Sequence, residues 1–313
     1  MPAAAPSQLR PFAVLLFGAC VVGLAPILVR LSDTGPAAAG FWRFLFAAPL
    51  LLVLSRTASD GPGRPRPVML LAGALIATDL AFWHYGIVLT SVANATVLSN
   101  LTPIVVTLAV WVMTRERPSG LFSLALALAI GGAVTMALAK GGGGQGADPP
   151  LGNFFSAITA LFYGGYFLAI RHARTSSSAT RVMLWSTLAG IPVFLIAALA
   201  LGESIPPASL GGWAACMGLG VMHVAGQGSI AWALGRLPAP TVSVVVLVQP
   251  VVAAALSWAV FGEPVSPVQA LGGAVALAGV VLAQLSTTRA PATGDEAVAS
   301  PSGRGGAADA GSP

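Results

Sequence analysis

Of the 313 residues, 56% are apolar and 37 more are glycine, while Asp, Glu, Lys and Arg together make up 8%, against about 25% in an average soluble domain. That leaves too few charges to cover a soluble fold of this size, which excludes a soluble enzyme or a disordered chain. The net charge of +5 does not point to nucleic acid either, because the fifteen Lys and Arg are too scattered to form a phosphate-binding face.

A membrane-crossing helix needs about 20 mostly apolar residues, and ten such runs follow one another. After a short segment at 1–10 comes the first, 11–29. Arg10 ahead of an apolar stretch resembles a secretory signal, and Cys20 sits where a lipoprotein cysteine would. Phe17 at minus three, the lack of an A-x-A site and continuation to Val29 favour a retained span. The second run, 36–54, carries Arg43, and the third, 67–88, carries Asp79, Trp83 and His84. The fourth, 92–113, holds Asn100 and Thr102 around Pro103, and the fifth is 120–138. A stretch at 139–150 includes Gly141–Gly144; with no Lys-Ser/Thr after it and no strand before it, it is a linker and not a phosphate loop. The sixth run, 151–170, contains Tyr163 and Tyr166; the seventh is 182–201; the eighth, 209–230, contains His223 and Gln227. The ninth, 239–260, has Gln249 ahead of Pro250, and the tenth is 267–286. Residues 287–313, rich in Ala, Gly, Ser and Pro, read as a disordered tail.

The cations orient this ladder. With the N-terminus inside, the cytoplasmic face receives Arg10, Arg56, Arg64, Arg66, Arg115, Arg117, Arg171, Arg174, Arg181, Arg236, Arg289 and Arg304; the outer face receives Arg30 and Lys140. The positive-inside rule then puts both termini in the cytoplasm of a multi-pass protein of the cytoplasmic membrane. Cys20 and Cys216 both fall within spans, and neither a disulfide nor a metal site follows from them.

The chain also repeats itself. At an offset of 147, TSVANATVLSNLTPIVVTLAVWVMTRERPS (90–119) aligns with LPAPTVSVVVLVQPVVAAALSWAVFGEPVS (237–266), matching Pro103 to Pro250, Trp111 to Trp258, Glu116 to Glu263 and Ser119 to Ser266. The match continues through Gly132/Gly279. At an offset of 143, Trp42 falls on Trp185 and Pro49 on Pro192. Composition alone does not place Pro, Trp, Glu and Ser in one ungapped register. The duplicated halves are 11–138 and 151–286, and five spans in each force the second to be inverted. The expected fold is therefore an all-α membrane protein of ten transmembrane helices in two inverted five-helix repeats, an architecture of transporters that bind substrate at the repeat interface near the midplane.

These two blocks, with a proline in the following helix and an Arg-Glu or Gly-Glu corner, make the chain resemble the drug/metabolite transporter superfamily, and within it the EamA-type bacterial members. The resemblance covers about 11–286 and implies a central cavity lined by the first four helices of each half, with the fifth helices (120–138 and 267–286) peripheral. It also implies export of amino acids or other small metabolites. Arg115 stands where the family often has Gly, and the first helix lacks a common Trp.

Charges inside a bilayer cost about 2.5–3.5 kcal/mol each on insertion scales and usually face the protein interior. Arg43 and Asp79 fall at one depth, roughly 11–15 Å below the outer boundary. Asp79 would carry a coupling proton or meet a substrate amine, with Arg43 binding a carboxylate or tuning Asp79; the alternative is a static ion pair between the second and third helices. Trp83, one turn beyond Asp79, would wall the cavity, and His84 would relay a proton or simply pack. His223 and Gln227 share a face at i, i+4, while Gly226 is the repeat counterpart of Asp79, so the second half lacks the acid. Asn100, Thr102 and Gln249 flank prolines that free a backbone carbonyl, either for substrate or only for the kink. Tyr163 and Tyr166 would stack on a ligand or pack between helices.

No nucleotide motif, paired aspartates, Ser/His site or metal cluster is present, which argues against an enzyme and against any cofactor or metal. The reading is a secondary transporter for an amino acid or similar amphipathic compound, working outward by alternating access with protons as the coupling ion, as a monomer or homodimer. A channel or sensory membrane protein is the alternative.

Overall fold

The computed structural model describes residues 9–90, 98–139, 147–262 and 265–288. Among them the chain is entirely helical. The helices are α1 (Leu9–Val22), α2 (Ala25–Leu31), α3 (Pro36–Thr57), α4 (Pro67–Leu89), α5 (Thr102–Thr114), α6 (Gly120–Ala139) and α7 (Pro149–Arg174). They continue with α8 (Ala179–Ala200), α9 (Leu210–Met222), a π-helical turn (His223–Gln227), α10 (Gly228–Leu234), α11 (Ala239–Val245), α12 (Val248–Phe261) and α13 (Pro267–Thr288). Counting α1 with α2 and α11 with α12, seven helices are long and apolar enough to cross a membrane; parts of α4 and α5 are shorter apolar helices. Large apolar side chains such as Met113, Leu210, Ile196 and Leu271 point outward, a surface suited to lipid and not to water.

Three of the expected spans are not continuous α-helices. The first breaks at Gly23–Leu24, where Pro26 in the first turn of α2 has no N–H to give the carbonyl of Val22. The ninth breaks at Val246–Leu247, because Pro250 cannot donate to Val246. The eighth passes through the π turn and runs on to Leu234. In the fourth, α5 starts at Thr102, just ahead of Pro103, and residues 91–97 lie outside the described residues, as do most of the linker and tail. Pro49 and Pro192 are tolerated inside α3 and α8.

Glycines set how closely the helices approach. A Cβ added to Gly132 on α6 would lie 2.3 Å from the Ala276 nitrogen on α13, and one added to Gly279 on α13 would lie 2.4 Å from the Ala129 nitrogen on α6. These two contacts are images of each other at the 147-residue offset. A Cβ on Gly73 of α4 would meet the Ala189 Cβ of α8, and one on Gly220 of α9 the Phe46 Cβ of α3, each at under 3 Å; the glycines stand 147 residues apart and their partners 143 apart. Helices α3 and α8 run antiparallel, with Gly40 against the Phe194 ring and Gly190 against the Phe44 ring. The main core joins Phe44, Phe167, Phe194, Leu15 and Ile230 between the two halves.

The ends of α3 and α8 are tied by matched sets of hydrogen bonds. Trp42 donates from Nε1 to the Ile205 carbonyl at 2.7 Å, and Trp185 donates from Nε1 to the Pro62 carbonyl at 2.8 Å. Glu203 accepts from the backbone nitrogens of Ala37 (3.2 Å) and Ala38 (2.8 Å) at the start of α3. Asp60 accepts from the Ser178 nitrogen at 2.7 Å at the start of α8.

The glycine contacts predict a sharp contrast between neighbours. Gly132→Leu should overpack the α6–α13 interface and cost about 1–3 kcal/mol, read as a lower melting temperature in detergent. Gly131→Leu, at a position where an added Cβ meets nothing within 4 Å, should leave that temperature unchanged.

Candidate functional site

The centre of the bundle is built around one buried charge. Arg43, on α3, is 7% exposed. Its Nε donates to His223 Nδ1 at 3.1 Å, and His223 Nε2 lies 2.9 Å from Thr187 Oγ1 on α8. A guanidinium nitrogen can only donate, so Nδ1 must be the accepting nitrogen and the ring proton belongs on Nε2, directed at the Thr187 hydroxyl. The imidazole in this arrangement is neutral, and the Phe44 ring covers it at 4.5 Å between centroids. Asp79, on α4, is 8% exposed and near enough for its charge and that of Arg43 to act on each other. Arg43 nevertheless directs its recorded hydrogen bond to His223 and not to that carboxylate.

A second group closes on the same charge from the other half. The phenol of Tyr163, on α7, lies beside the side chains of Gln227, in the π turn, and Gln249, on α12. Tyr163 stacks on Tyr166 at 5.9 Å and 4°, and both rings lie within the electrostatic reach of Arg43. Tyr166 is buried, with its hydroxyl 3.9 Å from Met183 Sδ. His223 and Gln227 are both buried at the two ends of the π turn, and such turns are frequent at functional positions in helices. From these ends His223 reaches Arg43 while Gln227 reaches Tyr163.

Several polar atoms here are buried with no hydrogen-bond partner among the described protein atoms: Arg43 Nη2, Gln227 Oε1, Gln249 Nε2, Asn100 Nδ2 and Thr107 Oγ1. Buried polar groups in native proteins are nearly always satisfied, so each orphan calls for a partner such as water, an ion or a ligand. Of the ten residues singled out from the sequence, Arg43, Asp79, Tyr163, Tyr166, His223, Gln227 and Gln249 converge. Trp83 is half-buried one turn beyond Asp79 and is engaged in a contact of its own. Asn100 is partly buried at the break before α5, with its orphan amide. The side chain of His84 lies outside the described residues. Thr187 is the residue the sequence reading missed; a threonine in an apolar helix carries no signal until its histidine partner is in place.

The EamA-like transporter family model matches residues 10–138 and 150–285, most of the chain, in two successive copies. An uncharacterized transporter of Archaeoglobus fulgidus is 26% identical over 272 residues, covering 87% of this chain and 95% of that protein. A solved crystal structure overlays with a TM-score of 0.75 at 17% identity, over 90% of this chain and 99% of the other, a likeness of fold alone.

The Arg43–His223–Thr187 chain predicts non-additive losses. Thr187→Val should lower stability by about 1 kcal/mol. His223→Ala, which strands both Arg43 Nε and the threonine hydroxyl, should cost about 1–3 kcal/mol. Adding Thr187→Val to His223→Ala should then cost little more, as a double-mutant cycle on detergent melting would show.

Proposed function

The chain belongs to the EamA-like transporter family, and we propose that this membrane transporter of small solutes carries an amphipathic metabolite, an amino acid or similar compound, outward by alternating access. In this reading the two family matches are inverted repeats of five spans each, with both termini in the cytoplasm. The repeat-related glycine contacts of α6 with α13, and of α4 and α9 with the second helix of the opposite half, support the repeat. The twelve-to-two split of cations supports the orientation.

The observation that carries the proposal is the set of unspent polar atoms beside a buried charge. Arg43 Nη2 and Gln249 Nε2 are donors without protein partners, and Gln227 Oε1 is an acceptor without one. All three belong to side chains grouped around Tyr163. A carboxylate bound at Arg43 would complete the guanidinium, an amine would meet Asp79, and the paired tyrosine rings would receive an apolar flank. Asp79 is the acid that would exchange a coupling proton. The neutral histidine, with one ring nitrogen occupied by Arg43 and the other by Thr187, fixes the guanidinium in place.

A metabolite screen on overexpressing cells, comparing medium with cytosol, tests this reading. The wild-type protein should deplete its substrate from the cytosol, and a protonophore should abolish the difference. Arg43→Ala, which removes a charge-assisted contact worth about 1.5–3 kcal/mol, should lower apparent affinity by about 10–100-fold. Asp79→Asn should leave a protein that inserts normally and no longer concentrates substrate. Full transport by both variants at normal yield would overturn the site. Carboxy-terminal fusions should show a fluorescent reporter active and a periplasmic phosphatase inactive.

A further inference from the structure

The two acidic loop residues at the ends of α3 and α8 occupy equivalent positions. At the 143-residue offset Asp60 corresponds to Glu203, Pro62 to Ile205, Trp42 to Trp185 and Gly35 to Ser178. Gly35 and Ser178 are the N-cap residues of α3 and α8. Each acid therefore reaches from the loop of its own half to the first turn of the other half's second helix, where exposed N–H groups and the helix dipole favour a negative charge. The details compensate for one difference. Ser178 caps α8 with its own hydroxyl, which accepts from the Arg181 nitrogen at 3.2 Å. Gly35 has no side chain to do this for α3, and there Glu203 takes two backbone N–H groups in place of the single one taken by Asp60. Arg181 Nη1 lies 3.9 Å from Asp60 Oδ2. Burial on its own would raise the Asp60 carboxyl, but the hydrogen bonds from Ser178 outweigh it and hold the group below the ordinary carboxylate value.

Other features occur in one half only. The break at Gly23–Leu24 between α1 and α2 has no counterpart in α7, which is continuous over Pro149–Arg174. The π turn has no counterpart in α4, continuous over Pro67–Leu89. These one-sided features touch: a Cβ on Gly226 in the π turn would meet Val22 Cγ2, the last residue of α1, at 2.7 Å.

When two inverted halves trade conformations, a contact present in both repeat-related copies exists before and after the trade. A feature present in one half must pass to the other. We propose that Asp60 and Glu203 are positioning residues for transport, clamping α3 to α8 at both ends as one fixed frame. The bend at Gly23 and the π turn belong to the parts that move against that frame. This rests on the alternating-access reading above.

Paired spin labels in lipid nanodiscs test it, in a Cys20→Ala/Cys216→Ala background. Labels at Leu54 on α3 and Ile196 on α8, both exposed, report the frame. Labels at Leu9 on α1 and Leu54 on α3, also exposed, report the moving part against the frame. The frame pair should give one narrow distance and the second pair two. Asp60→Ala with Glu203→Ala should broaden the frame distance, and Asp60→Asn with Glu203→Gln, which keep an accepting oxygen, should restore it. Two distances for the frame pair with both acids in place would overturn the proposal, as would a narrow one in the double alanine variant. A single distance from the second pair would count against alternating access instead, and the clamp would still be decided by the alanine and amide variants.

Discussion

Hydrocarbon offers no hydrogen bonds, so every polar group at the centre of this bundle has to be answered by another part of the chain or by what the protein carries. Arg43 is the largest such demand. A guanidinium has five N–H donors in a rigid fork, and here one is met by His223, whose opposite nitrogen is in turn met by Thr187. That chain crosses from α3 through the π turn to α8 and ties three elements at one depth. The packing around it follows from the same need, since Phe44 covers the imidazole and packs on Phe194 across the α3–α8 seam.

Exclusion of water also explains why glycine and proline are so frequent without making the chain flexible. Where helices cannot gain by hiding apolar surface from water, they gain by close contact, and Gly132, Gly279, Gly73 and Gly220 sit where a methyl group would collide. Pro26 and Pro250 break helices, yet the breaks face protein: the end of α1 lies on the π turn, and α12 carries Gln249 into contact with Tyr163. Irregular backbone at membrane depth is tolerable only where it is enclosed in this way.

Much of this was legible in the sequence. Apolar run length located the helices, and Arg43 and Asp79 stood out because charge is so costly there. The 147-residue register already paired Gly132 with Gly279, though not with the neighbours each of them meets across α6 and α13. Other features were not legible. A π turn arises from tertiary demands on His223 and Gln227 that a 3.6-residue period does not express. Thr187 is indistinguishable from any other threonine in an apolar helix until its partner 36 residues away is known. The breaks at Gly23 and Val246 had a cause in the sequence, a proline that cannot donate to the carbonyl four residues before it, but composition in a 20-residue window averages over it. Asp60 and Glu203 lay in short loops, where a carboxylate is ordinarily a solvated surface group.

Symmetry in the scaffold and asymmetry in the chemistry are therefore separate requirements, met by different residues. Tryptophans, acids and glycines recur at fixed offsets and make contacts that are images of one another. At the centre the pairing fails: Gly226 stands opposite Asp79, and Thr187 opposite Phe44. Identical halves would present the same groups twice at the centre, and the charged groups here occur once. Placing one arginine on α3 and one acid on α4, with Ser186 and Gly226 at the matching offsets, gives the interior charges from one part of the chain only. The matched contacts belong to the scaffold, while the unmatched residues supply the charge and the hydrogen-bonding groups at its centre.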